Sequence, residues 1–132
     1  MATNTAGGVG RQNHTQQVGF LRKNITYADN GKTLSMGWLP AGAVVIGAGV
    51  VVGTVFNGGS TNTVDIGTAA DTDGLATALA LGTVGVIPWD ESATTNDAGP
   101  YSADTEMKCV VVSTANASTG VGVVFIQYLC DL

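Results

Sequence analysis

Residues 38–59 read WLPAGAVVIGAGVVVGTVFNGG and form the longest apolar run in the chain. The run is rich in valine, contains glycine every few residues, and lies between Pro40 and Asn57-Gly58-Gly59. These features are typical of a β-strand rather than a helix. On a period of two, one face is bulky enough to form a core: Val44, Ile46, Ala48, Val50, Val52, Thr54 and Phe56. The other face is small enough for another layer to approach closely.

The length of this run predicts a bend. At ~3.3 Å per residue, an unbroken strand over residues 44–56 would span roughly 40 Å. A domain of this size has a radius of gyration of about 14 Å, so a straight strand would not fit. A bulge or corner is least costly at Gly47-Ala48-Gly49. A membrane span is not favoured, because the run is short, rich in glycine and without flanking basic residues.

The composition predicts one all-β domain. The chain has 132 residues, of which only 11% are charged, and glycine, threonine, alanine and valine dominate. We expect residues 1–17 (MATNTAGGVGRQNHTQQ) to be a flexible N-terminal arm and residues 18–132 to be a single domain. A net charge of −5 argues against nucleic acid as a partner. Residues 1–17 contain no apolar segment of the kind found in signal peptides, which favours synthesis and assembly in a cytoplasm.

The remaining strands are predicted in pairs. Residues 18–27 and 32–38 form a predicted hairpin around Asn30-Gly31, where both residues tolerate positive φ. Residues 106–114 and 121–129 form a second one. In that register Cys109 and Cys130 are too far apart for a disulfide, so both thiols are expected to stay free. With short strands at residues 63–67 and 84–89, the pattern predicts a β-sandwich or jelly-roll-like barrel of about seven or eight strands.

One short connecting helix is expected over residues 71–81. Asp71 can cap its first turn, and Leu75, Ala78 and Leu79 would share one face. The alternative for Asp71-Thr72-Asp73-Gly74 is a surface cation site, because the motif begins like a calcium loop. Gly82 stands where such a loop requires glutamate, so the helix cap is the favoured interpretation.

No catalytic, cofactor-binding or metal site is predicted, and the protein is not expected to be an enzyme. The single histidine, His14, lies in the arm, whereas a nucleophile requires a rigidly held base. Asp90 and Glu91 are adjacent, so their side chains point apart, and we interpret residues 90–101 as an exposed loop. Trp38, Trp89 and Tyr101 could form a sugar-stacking platform, but structural or interface roles are favoured for the two tryptophans.

Four segments resemble small structural proteins of tailed-bacteriophage virions. They are residues 39–43 (LPAGA), 50–57 (VVVGTVFN), 64–68 (VDIGT, followed by Asp71 and Asp73) and 122–128 (GVVFIQY). The resemblance covers roughly residues 38–129 and is to capsid decoration (cement) proteins and head-fibre bases. These motifs are apolar and turn-forming, and the resemblance implies no catalytic residue.

This resemblance implies a β-sandwich that often trimerises on the capsid shell. We therefore expect a virion structural protein that binds the outer capsid surface and stabilises contacts between neighbouring capsomers. Its expected partners are the major capsid protein and two further copies of itself, without nucleic acid or membrane. The alternative is a fibre-base module that binds a carbohydrate or receptor.

Overall fold

The computed structural model describes residues 18–89 and 98–130. Within these residues, eight strands and one 3-10 turn (Tyr27–Asp29) are formed. The strands are β1 (Gly19–Thr26), β2 (Thr33–Leu39), β3 (Val44–Thr54), β4 (Asn62–Thr68), β5 (Ala76–Ala80), β6 (Gly85–Pro88), β7 (Thr105–Ser113) and β8 (Val121–Leu129).

The strands form two antiparallel sheets of four. The first sheet has the order β1-β8-β3-β6, and the second has the order β2-β7-β4-β5. Consecutive strands lie in opposite sheets at every step except β4 to β5. This is the connectivity of a double-sheet jelly roll. The predicted all-β sandwich is therefore confirmed.

The core lies between the two sheets. The central strand β8 contributes Val124 and Ile126, and the facing strand β7 contributes Met107 and Val111, all with no exposed surface. Phe56, just beyond β3, is also buried and belongs to the same cluster. Burying each such side chain contributes about 1.5–3 kcal/mol relative to leaving it exposed.

The central apolar run forms β3, and it contains a bulge. In its pairing with β8, Val45 lies opposite Tyr128 and Gly47 lies opposite Gln127, so Ile46 has no partner. The extra residue lies one position before the predicted bend. It also inverts the alternation, because Val45 is 3% exposed whereas Ile46 is 45% exposed. The interpretation that Ile46 lies on the core face was wrong for this reason.

The two predicted hairpins were wrong. β1 pairs with β8 and β2 pairs with β7, so the turn at Asn30-Gly31 connects the two sheets. β7 and β8 likewise lie in different sheets. The local turn signal was genuine, since Gly31 has φ of 79°. However, the Asn30 carboxamide oxygen accepts a hydrogen bond from the Ser113 N–H, which ties this turn to β7 instead of closing a hairpin.

Both cysteines are free, as expected, although the hairpin used to predict this does not exist. Cys109 lies in the middle of β7, between Leu34 of β2 and Ile66 of β4. It is fully buried, and this burial raises the pKa of its thiol to about 12. It is a small apolar core residue.

The predicted helix over residues 71–81 was also wrong, because residues 76–80 form β5. Ile66 lies opposite Ala76 and Val64 lies opposite Leu79, so two residues of β5 face one residue of β4. This bulge places buried side chains three residues apart, which imitates helical spacing. At the bulge, Ala78 has φ of 55°, and its N–H donates to Asp65 Oδ1 at 2.6 Å.

Candidate interaction surface

The outward side of the β1-β8-β3-β6 sheet is apolar over most of its area. Cross-strand partners share a face, so the strand registers place one row across β8, β3 and β6: Val123, Val51 and Val86. The next row contains Arg22, Phe125 and Gly49. Phe20 and Gln127 begin a third row. We call this surface, defined by Phe20, Arg22, Val51, Val86, Val123 and Phe125, the apolar sheet face.

Two of its apolar side chains are well exposed, and Val123 and Phe125 are half-buried. Phe20 is 63% exposed and Val86 is 64% exposed. A shallow depression of about 280 Å³ lies between Phe20, Arg22, Val51, Val123 and Phe125. Single exposed apolar residues are ordinary on protein surfaces, but a contiguous group marks an interaction site.

Glycine in β3 shapes this depression. A Cβ atom on Gly49 would lie 2.6 Å from the Ile87 carbonyl oxygen and 3.1 Å from the Phe125 ring. The Phe125 ring therefore lies low over β3, in the space that a side chain would occupy. Because Gly49 has no side chain, a shallow depression is left between Phe20 and Val51.

The outward side of the other sheet has a different chemistry. Glu106 and Lys108 lie there, with Nζ and Oε1 3.4 Å apart. The Ser35 hydroxyl donates to Glu106 Oε2 at 2.8 Å. This hydrogen bond, with Lys108 nearby, lowers the pKa of Glu106. The outward side of this sheet is therefore suited to contact with water. The apolar sheet face lacks comparable polar pairs among the described residues.

Arg22 is the charged member of the apolar sheet face. Its Nη2 donates to Asn24 Oδ1 at 3.4 Å, which is a long hydrogen bond to an uncharged side chain. The ion pairs among the described residues are Lys32 with Asp29 and Lys108 with Glu106, so no carboxylate of residues 18–89 or 98–130 neutralises Arg22. A guanidinium beside apolar side chains suits a partner that brings a carboxylate.

Aspartates cluster where β4 is joined to β5. A hydrogen bond and charge repulsion from Asp71, together with repulsion from Asp65, raise the pKa of Asp73. Asp71 does not cap a helix: its N–H donates to Thr68 Oγ1 at 3.1 Å, within a turn. Within residues 18–89 and 98–130, no group of three or more histidine, cysteine, aspartate or glutamate side chains could hold a metal ion. We call Asp65, Asp71 and Asp73 the acidic cluster.

The structure separates the three predicted aromatic candidates. Trp38 is 61% exposed, whereas Trp89 and Tyr101 pack partly buried against the core. The Tyr101 backbone is held from both sides, since its N–H donates to the Ala43 carbonyl and its carbonyl accepts from the Gly42 N–H. A platform of three exposed rings is therefore not formed. His14, Asp90 and Glu91 lie outside the described residues.

Sequence reasoning did not identify the apolar sheet face. It treated the small face of the central run as a place of close approach and did not connect it with Phe20 or Phe125. A signal was present in residues 121–126, where Val121, Val123 and Phe125 alternate with the core residues Val124 and Ile126. A strand that is apolar on both faces, in a sheet with core on one side, exposes the other set.

Comparison with known proteins gives structural matches alone. No family model and no curated protein matches this chain. A chain in the cyanophage Pam1 capsid asymmetric unit is similar over 98% of this chain and 94% of its own length, with a TM-score of 0.68 and 18% identity. A chain in the capsid of Ralstonia phage GP4 has a TM-score of 0.64 and 23% identity, with 88% and 86% covered.

A third match is a chain in the acid-stable capsid of Helicobacter pylori bacteriophage KHP30. Its TM-score is 0.53 and its identity 16%, over 84% of this chain and 86% of that one. The shared feature at this identity is the fold: three chains from phage capsid structures have the arrangement described above. Among the described residues, no helix is long and apolar enough to cross a membrane.

Proposed function

We propose that this protein is a virion structural protein that decorates the outer surface of a tailed-phage capsid as a cement protein. In this role it binds the major capsid protein as a homotrimer and holds neighbouring capsomers together. It performs no catalysis. It is synthesised in the host cytoplasm and ends in the virion.

The observation that carries this proposal is the extent of the structural likeness. The match to the chain in the Pam1 capsid covers 98% of this protein and 94% of that chain. The likeness is therefore to a whole small chain and not to a domain of a larger protein. Two further matches also come from phage capsid structures. The sequence motifs at residues 39–43, 50–57, 64–68 and 122–128 support the same class independently.

The surface chemistry supports binding to proteins. The apolar sheet face offers contiguous apolar area, and the rigid jelly roll presents it without further ordering of its strands. A trimer that binds several capsid subunits multiplies modest contacts, since each contact after the first is effectively intramolecular. Such a protein needs no deep binding pocket.

Purified virions provide the test. A stoichiometric band of 13.3 kDa should be present in particles, should be accessible to antibody on intact capsids, and should return when the protein is added to stripped shells. Absence of the band from purified particles would refute the proposal. A band that is present but inaccessible on intact capsids would refute the outer-surface location.

The second candidate is a fibre-base module that binds a carbohydrate or a host receptor. The exposed ring of Trp38 favours it, since exposed aromatic side chains stack on sugars. In that case antibody labelling would be confined to fibre attachment points, and Trp38→Ala would reduce host adsorption while leaving capsid stability unchanged.

A further inference from the structure

The outward sides of the two sheets differ in polarity, and the apolar one would be stabilised by a partner that covers it. The apolar sheet face spans four strands about 4.8 Å apart and three rows of side chains about 6.6 Å apart, which gives roughly 400 Å². A stable interface buries about 800 Å² on each partner, with an apolar core and a polar rim. The apolar sheet face therefore has the size of an interface core.

Charge restricts what can cover this face. Arg22 lies within it and has no carboxylate partner in the described part of the chain. Placing the same face of two copies together would bring two arginine side chains into one dry interface. Like charges juxtaposed in this way cost several kcal/mol. A two-fold contact of the face with itself is therefore disfavoured, and the occupant must bring carboxylates.

The N-terminal segment of the chain does not fit this requirement. Residues 1–17 end at Gln17, two positions before β1 begins at Gly19, and so are near enough in sequence. Beyond Met1 they contain one large apolar residue, Val9, and their one permanently charged side chain is Arg11. A polar segment that carries a second arginine matches neither the apolar area nor the charge of the face.

The acidic cluster of another copy provides the carboxylates that the apolar sheet face requires. Asp71 and Asp73 are exposed, and no lysine or arginine of the described residues pairs with them. A hydrogen bond with Asp71 and charge repulsion from it raise the pKa of Asp73, and a cation from outside would offset this repulsion. The exposed residues around it are small: Ala69, Ala70, Thr77, Ala78 and Ala80. Because these side chains are small, the surface around the acidic cluster leaves room for Phe20 and Val86 of the apolar sheet face.

We propose that the apolar sheet face of one copy binds the β4–β5 edge of the next copy, with Arg22 against Asp71 and Asp73. The inference rests on the proposed function, in which the protein is a homotrimer, and it identifies the contact that builds the trimer. The two surfaces differ and lie on different sides of the sandwich. Repetition of such a heterologous contact turns around an axis and can close into a ring.

A pair of aromatic substitutions tests the face. Phe20 and Trp38 have nearly equal exposure, 63% and 61%, and lie on opposite sheets. In sedimentation velocity at micromolar concentration, the wild type should have a mass of three times 13.3 kDa. Phe20→Ser should weaken association at least about tenfold, and Trp38→Ser should not. Equal melting temperatures would show that both variants are folded.

Charge reversal tests the partner surface. Arg22→Glu should dissociate the trimer, whereas Lys32→Glu changes the net charge equally on an exposed lysine and should leave it assembled. Combining Arg22→Glu with Asp71→Lys and Asp73→Lys restores opposite charges across the interface and should restore the trimer. Failure of this rescue in a folded protein would overturn the assignment of the acidic cluster.

The outcomes for assembly and for function are separate. A wild type that is monomeric at every concentration, or a Phe20→Ser variant that remains trimeric, would overturn the inference even if the virion contains the protein. A trimer that behaves as described while purified particles lack the band would refute the decoration role alone. Loss of shell binding by Phe20→Ser with a monomeric wild type would assign the face to the capsid instead.

Discussion

Single backbone contacts decide which glycines this fold requires. Gly67 lies in β4, and a Cβ atom there would collide with the Asp71 carbonyl oxygen and lie 2.6 Å from the Thr72 carbonyl carbon. Both neighbours are backbone, so neither can move without disturbing the β4–β5 turn. Gly82, in contrast, has no atom within 4 Å of such a Cβ. The two positions make a matched pair.

We therefore expect Gly67→Ala to lower the free energy of unfolding by about 2–3 kcal/mol through overpacking. Gly82→Ala should remain within about 0.5 kcal/mol of the wild type. Urea denaturation followed by tryptophan fluorescence measures both. Equal stabilities of the two variants would mean that β4 does not approach the turn as closely as described.

Cys109 gives the protein a pH dependence in the alkaline range. Burial raises the pKa of its thiol from 9.0 to about 12. Between these values the unfolded chain loses the thiol proton and the folded chain keeps it. The free energy of unfolding therefore falls by about 1.4 kcal/mol per pH unit above pH 9 from this group.

At pH 10.5 this amounts to a loss of about 2 kcal/mol relative to pH 8. Cys109→Ala should lack this component, so the stability difference between the variant and the wild type should shift by that amount as the pH rises. Urea unfolding at both pH values measures it, and the comparison cancels the titration of other groups. Parallel pH profiles would contradict the burial of this thiol in the folded state.

At the scale of elements, the β3 bulge makes a prediction that regular alternation does not. Val45 is 3% exposed and Ile46 is 45% exposed, although a strand of uniform period would place Ile46 on the core face. Val45→Ala should cost about 2 kcal/mol, from lost burial and a small cavity. Ile46→Ala should cost less than about 0.5 kcal/mol. A reversed order of the two variants would show that the bulge is absent.

The elements also show what a sequence can and cannot predict here. Strand positions followed from valine-rich runs bounded by glycine, because that signal is local. Partners did not follow: Asn30-Gly31 has good hairpin chemistry, yet β1 pairs with a strand about a hundred positions away, with Gly19 opposite Tyr128. The spacing of Leu75, Ala78 and Leu79 misled for another reason, since a bulge with Ala78 at positive φ leaves Leu75 and Leu79 buried four positions apart, as in a helix.

The interaction surface as a whole could not be predicted from the sequence for a related reason, although β8 alone carried a signal for it. Phe20, Val51 and Phe125 come from three distant segments and become neighbours only through the order of strands in the sheet. Each segment alone shows an ordinary apolar pattern. The expected absence of a catalytic constellation was inferred from residue types and their positions in the chain, and it stays a prediction.

At the scale of the whole molecule, residues 1–17 and the sandwich should be separable. The buried cluster that the structure describes runs from Ile25 to Ile126, and Val9 is the one large apolar residue after Met1 in the segment before Val18. A variant that begins at Val18 should melt within about 2 °C of the full chain, which corresponds to less than about 0.5 kcal/mol.

The same truncated protein should decorate capsids poorly, since an arm that orders on a neighbour contributes contacts in the assembled particle alone. Calorimetry measures the first effect, and co-sedimentation with stripped shells measures the second. If the truncated protein binds shells as tightly as the full chain, the segment has no role in attachment.

The position of β8 has a consequence for the order of events during synthesis. Of the described strands this one is synthesised last, yet it lies between β1 and β3 and forms hydrogen bonds with both. Until β8 is made, β3 can pair with β6 alone and β1 has no partner, so the first sheet cannot be completed. Ribosome-bound chains that stop before Val121 should remain sensitive to protease, whereas chains long enough to expose all of β8 should fold in milliseconds to seconds, as for other folds dominated by distant pairings.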